Sequence, residues 1–326
     1  MRERVREEAT FPERRDERGR FVNLDGTGPR GLADVLRWSV LDRVTGRRRR
    51  STARVGFPTV PPDPALLAVP PRPGEGARLT FIGHATFLVQ ADGLSLLVDP
   101  IFGKVAGVIP RNLAPGVPPE SLPRVDAVLV SHDHYDHLDL PTLERLGAPV
   151  YGGLGLSRHL PGTGLACHEM GWGQSRRLGG LLVTFVPAQH WSRRGPFDTN
   201  RTLWGGFVVE GSRATVYHAG DSAYFPGFAA LGRHFAIDAA LLPIGAYDPA
   251  WFMGSQHMNP GEALEAFRDL GATTFFPMHF GTFRLADEPL DEPLALLEEE
   301  RVRLGMARER VRVLAFGESV LVRRTR

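Results

Sequence analysis

The 326-residue chain carries 39 Lys and Arg against 37 Asp and Glu, a formal charge of +2, so no nucleic-acid partner is expected from its overall charge. At 42% hydrophobic and 23% charged residues it has the composition of a globular protein with a sizeable core. The single cysteine, Cys167, excludes an intramolecular disulfide framework and a Cys-rich zinc site and fits a reducing compartment. No apolar run approaches the ~18 residues that span a membrane, and Met1 to Arg20 lacks the apolar stretch of a secretory signal. A cytoplasmic protein is expected, soluble or peripheral to the inner face of the membrane.

In chain order, residues 1–20 are mostly Arg, Glu and Asp and are expected to form a charged, disordered tail. Gly31–Val44 brings Leu32, Val35, Leu36, Val40, Leu41 and Val44 to helical spacing, and four arginines, Arg47–Arg50, follow. Most amphipathic helices pack their apolar face on a domain. A basic end also suits an anionic membrane surface, which makes 31–50 a candidate peripheral contact. Thr59–Gly76, rich in proline, reads as an extended connector, so 21–76 is expected to precede a main domain at 77–326.

From Ala77 the pattern becomes β: Arg78–Ile82, Thr86–Gln90 and Leu94–Asp99, with Asp92-Gly93 as a hairpin turn. Further strands are predicted at Asp126–Val130, Leu181–Val186, Gly206–Glu210, Thr215–Tyr217, Asp238–Leu242 and Thr273–Phe276, and two more, Val311–Ala315 and Ser319–Val322, close the chain. Helices are predicted at Pro141–Leu146, at Pro260–Leu270, which Asn259 caps and Gly271 ends, and at Pro289–Leu304. Many short strands with few helices between them argue against a doubly wound sheet. They fit an α+β class with two packed sheets and helices outside.

The strand Asp126–Val130 feeds Ser131–Asp139, which reads Ser-His-Asp-His-Tyr-Asp-His-Leu-Asp. A loop at a strand's end is a rigidly supported place for a site, and imidazole with carboxylate suits zinc and other first-row metals. His132 and His134 can turn toward one metal and Asp136 and His137 toward another. His190, Asp221 and His279 repeat the placement, each standing just past an apolar strand.

The pattern His132-x-His134-x-Asp136-His137 resembles the signature of the metallo-β-lactamase superfamily. From about Phe21 to the C-terminus the chain is most similar to the branch of N-acylphosphatidylethanolamine-hydrolysing phospholipase D, with Arg201-Thr202-Leu203-Trp204-Gly205-Gly206 among the matching residues. The resemblance implies an αββα sandwich, two mixed sheets face to face with helices outside, as the catalytic domain at 77–326. It implies two Zn²⁺ per chain, although Fe and Mn accept the same donors. One ion would be held by His132, His134 and His190, the other by Asp136, His137 and His279, with Asp221 bridging. Asp99 and His84 match positions that support the metal loop, and His257 resembles a late histidine near the substrate. Asp221, His257 and Asp99 are accordingly the expected catalytic residues. The related phospholipase D also implies a homodimer.

Paired cations lower the pKa of a shared water, so a bridging hydroxide exists near neutral pH, and they polarise the electrophile. The leading expectation is a hydrolase that turns this hydroxide on a phosphodiester such as N-acylphosphatidylethanolamine. A lactone or amide hydrolase is the alternative, since the same hydroxide attacks carbonyls and fold does not choose between them. A nuclease or nucleic-acid module comes third, opposed by the near-zero charge. Trp204, Tyr247 and Arg201 are the expected substrate contacts, and Arg193 and Arg194 are further candidates for a phosphate. Aromatic residues after the site motifs, Trp191, Trp251 and Phe252 among them, suit an apolar group, with core packing as the commoner role. Cys167 is read as a structural thiol, and His159, His168, His218 and His234 have no assigned role.

Overall fold

The computed structural model describes residues 11–46 and 54–324. Its seven-stranded sheet has the spatial order Ser319–Val322, Ala77–Gly83, Thr86–Ala91, Leu94–Val98, Ala127–Val130, Val150–Gly153, Cys167–Met170. A six-stranded sheet packs against it, in the order Thr274–Met278, Ala239–Pro243, Thr215–His218, Gly206–Glu210, Leu181–Val186, Ser175–Leu178. Side chains alternate between faces along a strand. On Leu94–Val98, Leu96 and Val98 therefore enter the layer between the sheets, while Leu97 packs outward with Leu67 and Val117. On Ala127–Val130, Ala127 and Leu129 point in, and Val128 and Val130 meet Leu143 and Leu156 outside. Both faces are covered, which is why these strands read as continuous apolar runs. Outside the second sheet, the helix Pro260–Asp269 starts with a capping box: Asn259 Oδ1 accepts from the Glu262 N–H, and the Glu262 carboxylate accepts from the Asn259 N–H.

Strand direction gathers the site. Leu94–Val98, Ala127–Val130 and Val150–Gly153 are parallel, as are Thr215–His218, Ala239–Pro243 and Thr274–Met278. Ala77–Gly83 lies two antiparallel pairings from Leu94–Val98, so it runs the same way. Leu181–Val186 stands in the same relation to Thr215–His218. The segments leaving the C-terminal ends of these strands carry His84, Asp99, His132, His190, Asp221 and His279.

Several elements differ from the sequence expectation. Residues 11–20 are not a bare tail: Arg14–Arg15 pairs with Phe21–Val22, and the Arg15 guanidinium lies 3.7 Å over the ring of the buried Phe21. Residues 1–10 and Arg47–Arg50 lie outside the described residues. The N-terminal helix is α-helical at Leu32–Leu36 and Asp42–Val44, with a π-helical turn at Arg37–Leu41 between them. Only part of its apolar set packs on the domain, for Leu36, Val40, Leu41 and Val44 are 52–80% exposed. Val311–Ala315 contributes one bridge, Val311 to Phe275, instead of a strand. Cys167–Met170 and Ser175–Leu178 are edge strands whose polar sequences concealed them; charge on an edge discourages pairing with other chains. Among the described residues no helix is long and apolar enough to cross a membrane.

Candidate metal centre

Three imidazoles form the first donor group. His132 Nε2 lies 2.9 Å and His190 Nε2 3.2 Å from His134 Nδ1. In the second group Asp136 Oδ2 lies 3.5 Å from the Nε2 atoms of both His137 and His279. Within each group the donor atoms fall within 4.8 Å of one another. Asp221 Oδ2 stands between the groups, 3.2 Å from His137 and His279 Nε2 and 3.9 Å from His132 and His190 Nε2. The structure thus brings together all seven residues that the motif singled out as metal ligands.

Three imidazoles of this cluster are tied down at the far nitrogen. His137 Nδ1 is 2.8 Å from Asp99 Oδ2, His190 Nδ1 donates to the Gln256 carbonyl at 2.9 Å, and His132 Nδ1 is 2.9 Å from Ser131 Oγ. Other polar atoms of the cluster are not: His134 Nε2, His137 Nε2, both ring nitrogens of His279 and Asp221 Oδ1 are buried with no hydrogen-bond partner among the described residues. Buried polar atoms are rarely left so. Imidazoles fixed by their far nitrogens, with the near ones converging beside carboxylates, have the form of a metal site, so these residues fit metal ions. Burial alone would depress the His137 and His279 pKa values. The Asp221 and Asp136 carboxylates outweigh it, raising His279 to about 9 and His137 well above its ordinary value. Burial would likewise raise Asp136 and Asp221, yet the facing histidines hold both well below the usual carboxylate range.

Supporting residues surround the cluster. Asp99, fully buried, accepts from the Ser131 N–H at 2.7 Å and Ser131 Oγ at 2.6 Å as well as holding His137. It therefore positions the loop and is not among the residues lining the cavity over the cluster, which corrects its expected catalytic role. His84 Nε2 sits 3.0 Å from Asp136 Oδ2, and burial above all pushes its pKa down to about 3. His257 Nδ1 is 3.9 Å from Asp221 Oδ2; burial foremost lowers its pKa to about 4, so the ring is neutral near pH 7.

Three further residues went unassigned in the sequence or were assigned otherwise. His218 bridges the two sheets beneath Asp221: its Nε2–H donates to the Ala85 carbonyl at 2.8 Å, and its Nδ1 accepts from the Gly220 N–H at 3.1 Å. Its place three residues before Asp221 put it near the site, but nothing in the sequence pointed to the Ala85 contact. His159 pairs with Asp133 at 3.0 Å. Arg194, a candidate for a phosphate, instead clamps the metal loop, donating to the Asp133 and Leu138 carbonyls at 3.0 and 2.7 Å while its guanidinium covers Tyr135.

Residues 95–280 match the family model described as a β-lactamase superfamily domain. The chain belongs to the metallo-β-lactamase superfamily. It is 37% identical over 313 residues to an uncharacterised protein of Mycobacterium tuberculosis, covering 88% of this chain and 81% of the relative. It is 34% identical over 253 residues to an N-acyl-phosphatidylethanolamine-hydrolyzing phospholipase D of Caenorhabditis elegans, covering 69% of this chain and 70% of that protein. Among solved structures, Igni18, a metallo hydrolase from Ignicoccus hospitalis, aligns with a TM-score of 0.59 at 28% identity over 75% of this chain and 97% of its own. The protein is a metal-dependent hydrolase of this superfamily.

In this superfamily member a cavity of about 450 Å³ opens directly on the cluster. His134, Asp136, Asp221, His257 and His279 form its floor. Apolar walls come from Trp38, Val105, Trp191, Phe252, Met253 and Leu285, and the exposed Arg30 and Arg193 also line it. The expected substrate contacts lie elsewhere. Trp204 is 1% exposed, and its Nε1–H is shared between Asn23 Oδ1 and the Ala188 carbonyl, each at 3.0 Å, inside the core. The Tyr247 hydroxyl donates to Glu292 at 2.9 Å, and Arg201 is exposed; neither is part of the cavity lining.

Proposed function

We propose that the protein is a dinuclear zinc hydrolase of phosphodiesters, with N-acylphosphatidylethanolamine as the specific candidate. The supporting observation is the cavity, with metal donors at its floor, apolar walls and two arginines. That arrangement suits an anionic head with an apolar chain. The similarity to a C. elegans protein named for hydrolysis of that lipid points the same way.

When bound, the two cations supply Lewis acidity and a water of lowered pKa. His132, His134 and His190 would hold one, Asp136, His137 and His279 the other, and Asp221 reaches both groups. Asp99 and Ser131 keep His137 turned so that Nε2 faces inward, and His84 orients Asp136. His257, neutral on the cavity floor, donates a hydrogen bond to the electrophile's oxygen or carries a proton to the leaving group. The apolar walls exclude water from the tail of the substrate. The exposed Leu36, Val40, Leu41 and Val44 of the N-terminal helix support a peripheral membrane contact through residues 31–50.

The test is turnover by the metal-replete chain of bis(p-nitrophenyl) phosphate and of N-acylphosphatidylethanolamine in mixed micelles, beside Asp221→Ala and His257→Ala. Turnover of both substrates, lost with Asp221→Ala and reduced with His257→Ala, is the expected result. Hydrolysis of lactones without any phosphodiester turnover would move the assignment to carbonyl substrates. For the membrane contact, Leu41→Glu with Val44→Glu should abolish co-sedimentation with anionic vesicles, and unchanged sedimentation would remove it.

A further inference from the structure

One wall of the cavity comes from outside the sheet sandwich. Trp38 lies in the π-helical turn Arg37–Leu41, a local widening of the helix that recurs at functional sites. Its indole stacks on Phe252, with ring centroids 4.9 Å apart and planes 19° from parallel, and its Nε1–H donates to Asp287 Oδ2 at 3.0 Å. Nearby, the Arg37 guanidinium lies 4.2 Å over the Trp251 ring, and Arg30 Nε reaches the Phe252 carbonyl at 3.5 Å. The N-terminal helix and the segment leading into it are thus pinned to the short helix Ala250–Met253, and the pins bring Val35 and Trp38 into the cavity beside Phe252 and Met253.

Asp287 is anchored in turn. Its N–H donates to the Asp248 carbonyl at 3.0 Å, and the neighbouring Glu288 carboxylate accepts from the N–H groups of Ala246 and Asp248 at 2.6 and 3.1 Å. Ala246 itself lines the cavity. The Trp38–Asp287 bond therefore ties the N-terminal wall to the loop that follows strand Ala239–Pro243. Neither Phe252 nor Asp287 belongs to the ligand set, so this connection acts on what the cavity holds and leaves the donor atoms alone.

We propose that Trp38 is a specificity-determining residue. Its indole is the surface on which the apolar tail of an anionic amphiphile lies while the head reaches the ligand cluster, and the bond to Asp287 fixes how far that wall stands from the cluster. This deepens the function proposed above and rests on it for the anionic head alone. A tail lying on an apolar wall gains about fourfold in affinity for each methylene it buries. Removing the indole should cost long tails much more than short ones.

The experiment is calorimetric binding of n-alkylphosphonates of four, eight and twelve carbons, kept below micelle formation, to the metal-replete full chain. Wild type is compared with Trp38→Phe, Trp38→Ala and Asp287→Ala. Wild-type affinity should climb with chain length. Trp38→Ala should lose about tenfold or more for the twelve-carbon ligand and less than about threefold for the four-carbon one, and Trp38→Phe, which keeps a stacking ring, should retain most of the climb. Equal losses at all lengths, or no loss at twelve carbons, would overturn the proposal, as would a wild type that binds none of the series. Asp287→Ala, which frees the wall, should flatten the climb, and should Trp38→Ala fail to fold, an unchanged length dependence in Asp287→Ala would overturn the proposal. Binding needs no turnover. If the length effect holds while no phosphodiester is cleaved, the phosphodiesterase reading falls and the role of Trp38 stands.

Discussion

The ligand cluster and the cavity wall above it are assembled in different ways. Most cluster residues leave the C-terminal ends of like-directed strands, and key members are held from behind: His137 by Asp99, His190 by the Gln256 carbonyl, Asp136 by His84. The wall is gathered from segments distant in sequence, joined by contacts such as Trp38 on Phe252 and Trp38 to Asp287. Donor atoms set on the sheet scaffold fix the chemistry. A wall built from separate segments can be changed without disturbing those atoms, and substrate choice is proposed to reside there.

The sharpest way to break this division is to cut both parts. Asp221→Ala removes the one carboxylate that reaches both donor groups and should lower kcat on the order of 10⁴-fold. Asp99→Ala leaves every donor in place but frees His137 and Ser131, and should weaken metal binding about 10–100-fold, measured by competition with a chelator. If Asp99→Ala proves the more damaging of the two in turnover, the distinction between ligand and support fails. Trp204→Ala, deep in the core, should cost about 3–5 kcal/mol of stability in urea unfolding. Arg201→Ala should leave kcat/KM within about twofold, and a larger change would return Arg201 to the substrate path. The smallest effect belongs to Cys167. Burial, with Glu169 adding to it, pushes its thiol up to about 11. A raised value favours the neutral thiol, so iodoacetamide labelling should be slow at pH 8 and quicken as pH approaches 11, and Cys167→Ala should turn over at the wild-type rate.

The metal centre was legible because its donors announce themselves locally. Four sit in one loop, and His190, Asp221 and His279 each follow an apolar strand, so the short apolar runs that marked the strands also marked the site. The sheet sandwich was legible for the same reason, apart from Val150–Gly153 and the polar edge strands Cys167–Met170 and Ser175–Leu178. Trp204 was misread because an aromatic inside a motif looks like a substrate contact, whereas its indole N–H serves Asn23 and Ala188 within the core. His218 and Trp38 were opaque because their meaning lies in partners 133 and 249 residues away. No periodicity reports such pairings, and the π-helical turn that presents Trp38 has no signature in the residues that form it.

The most direct measurement is elemental analysis of the purified full chain after metal-replete dialysis, for wild type, His132→Ala and Asp221→Ala. About two metal ions per wild-type chain are expected, with fewer in both variants. A wild-type chain that retains no metal would contradict the metal centre described above, and with it the hydrolytic role given to His132, Asp136 and Asp221.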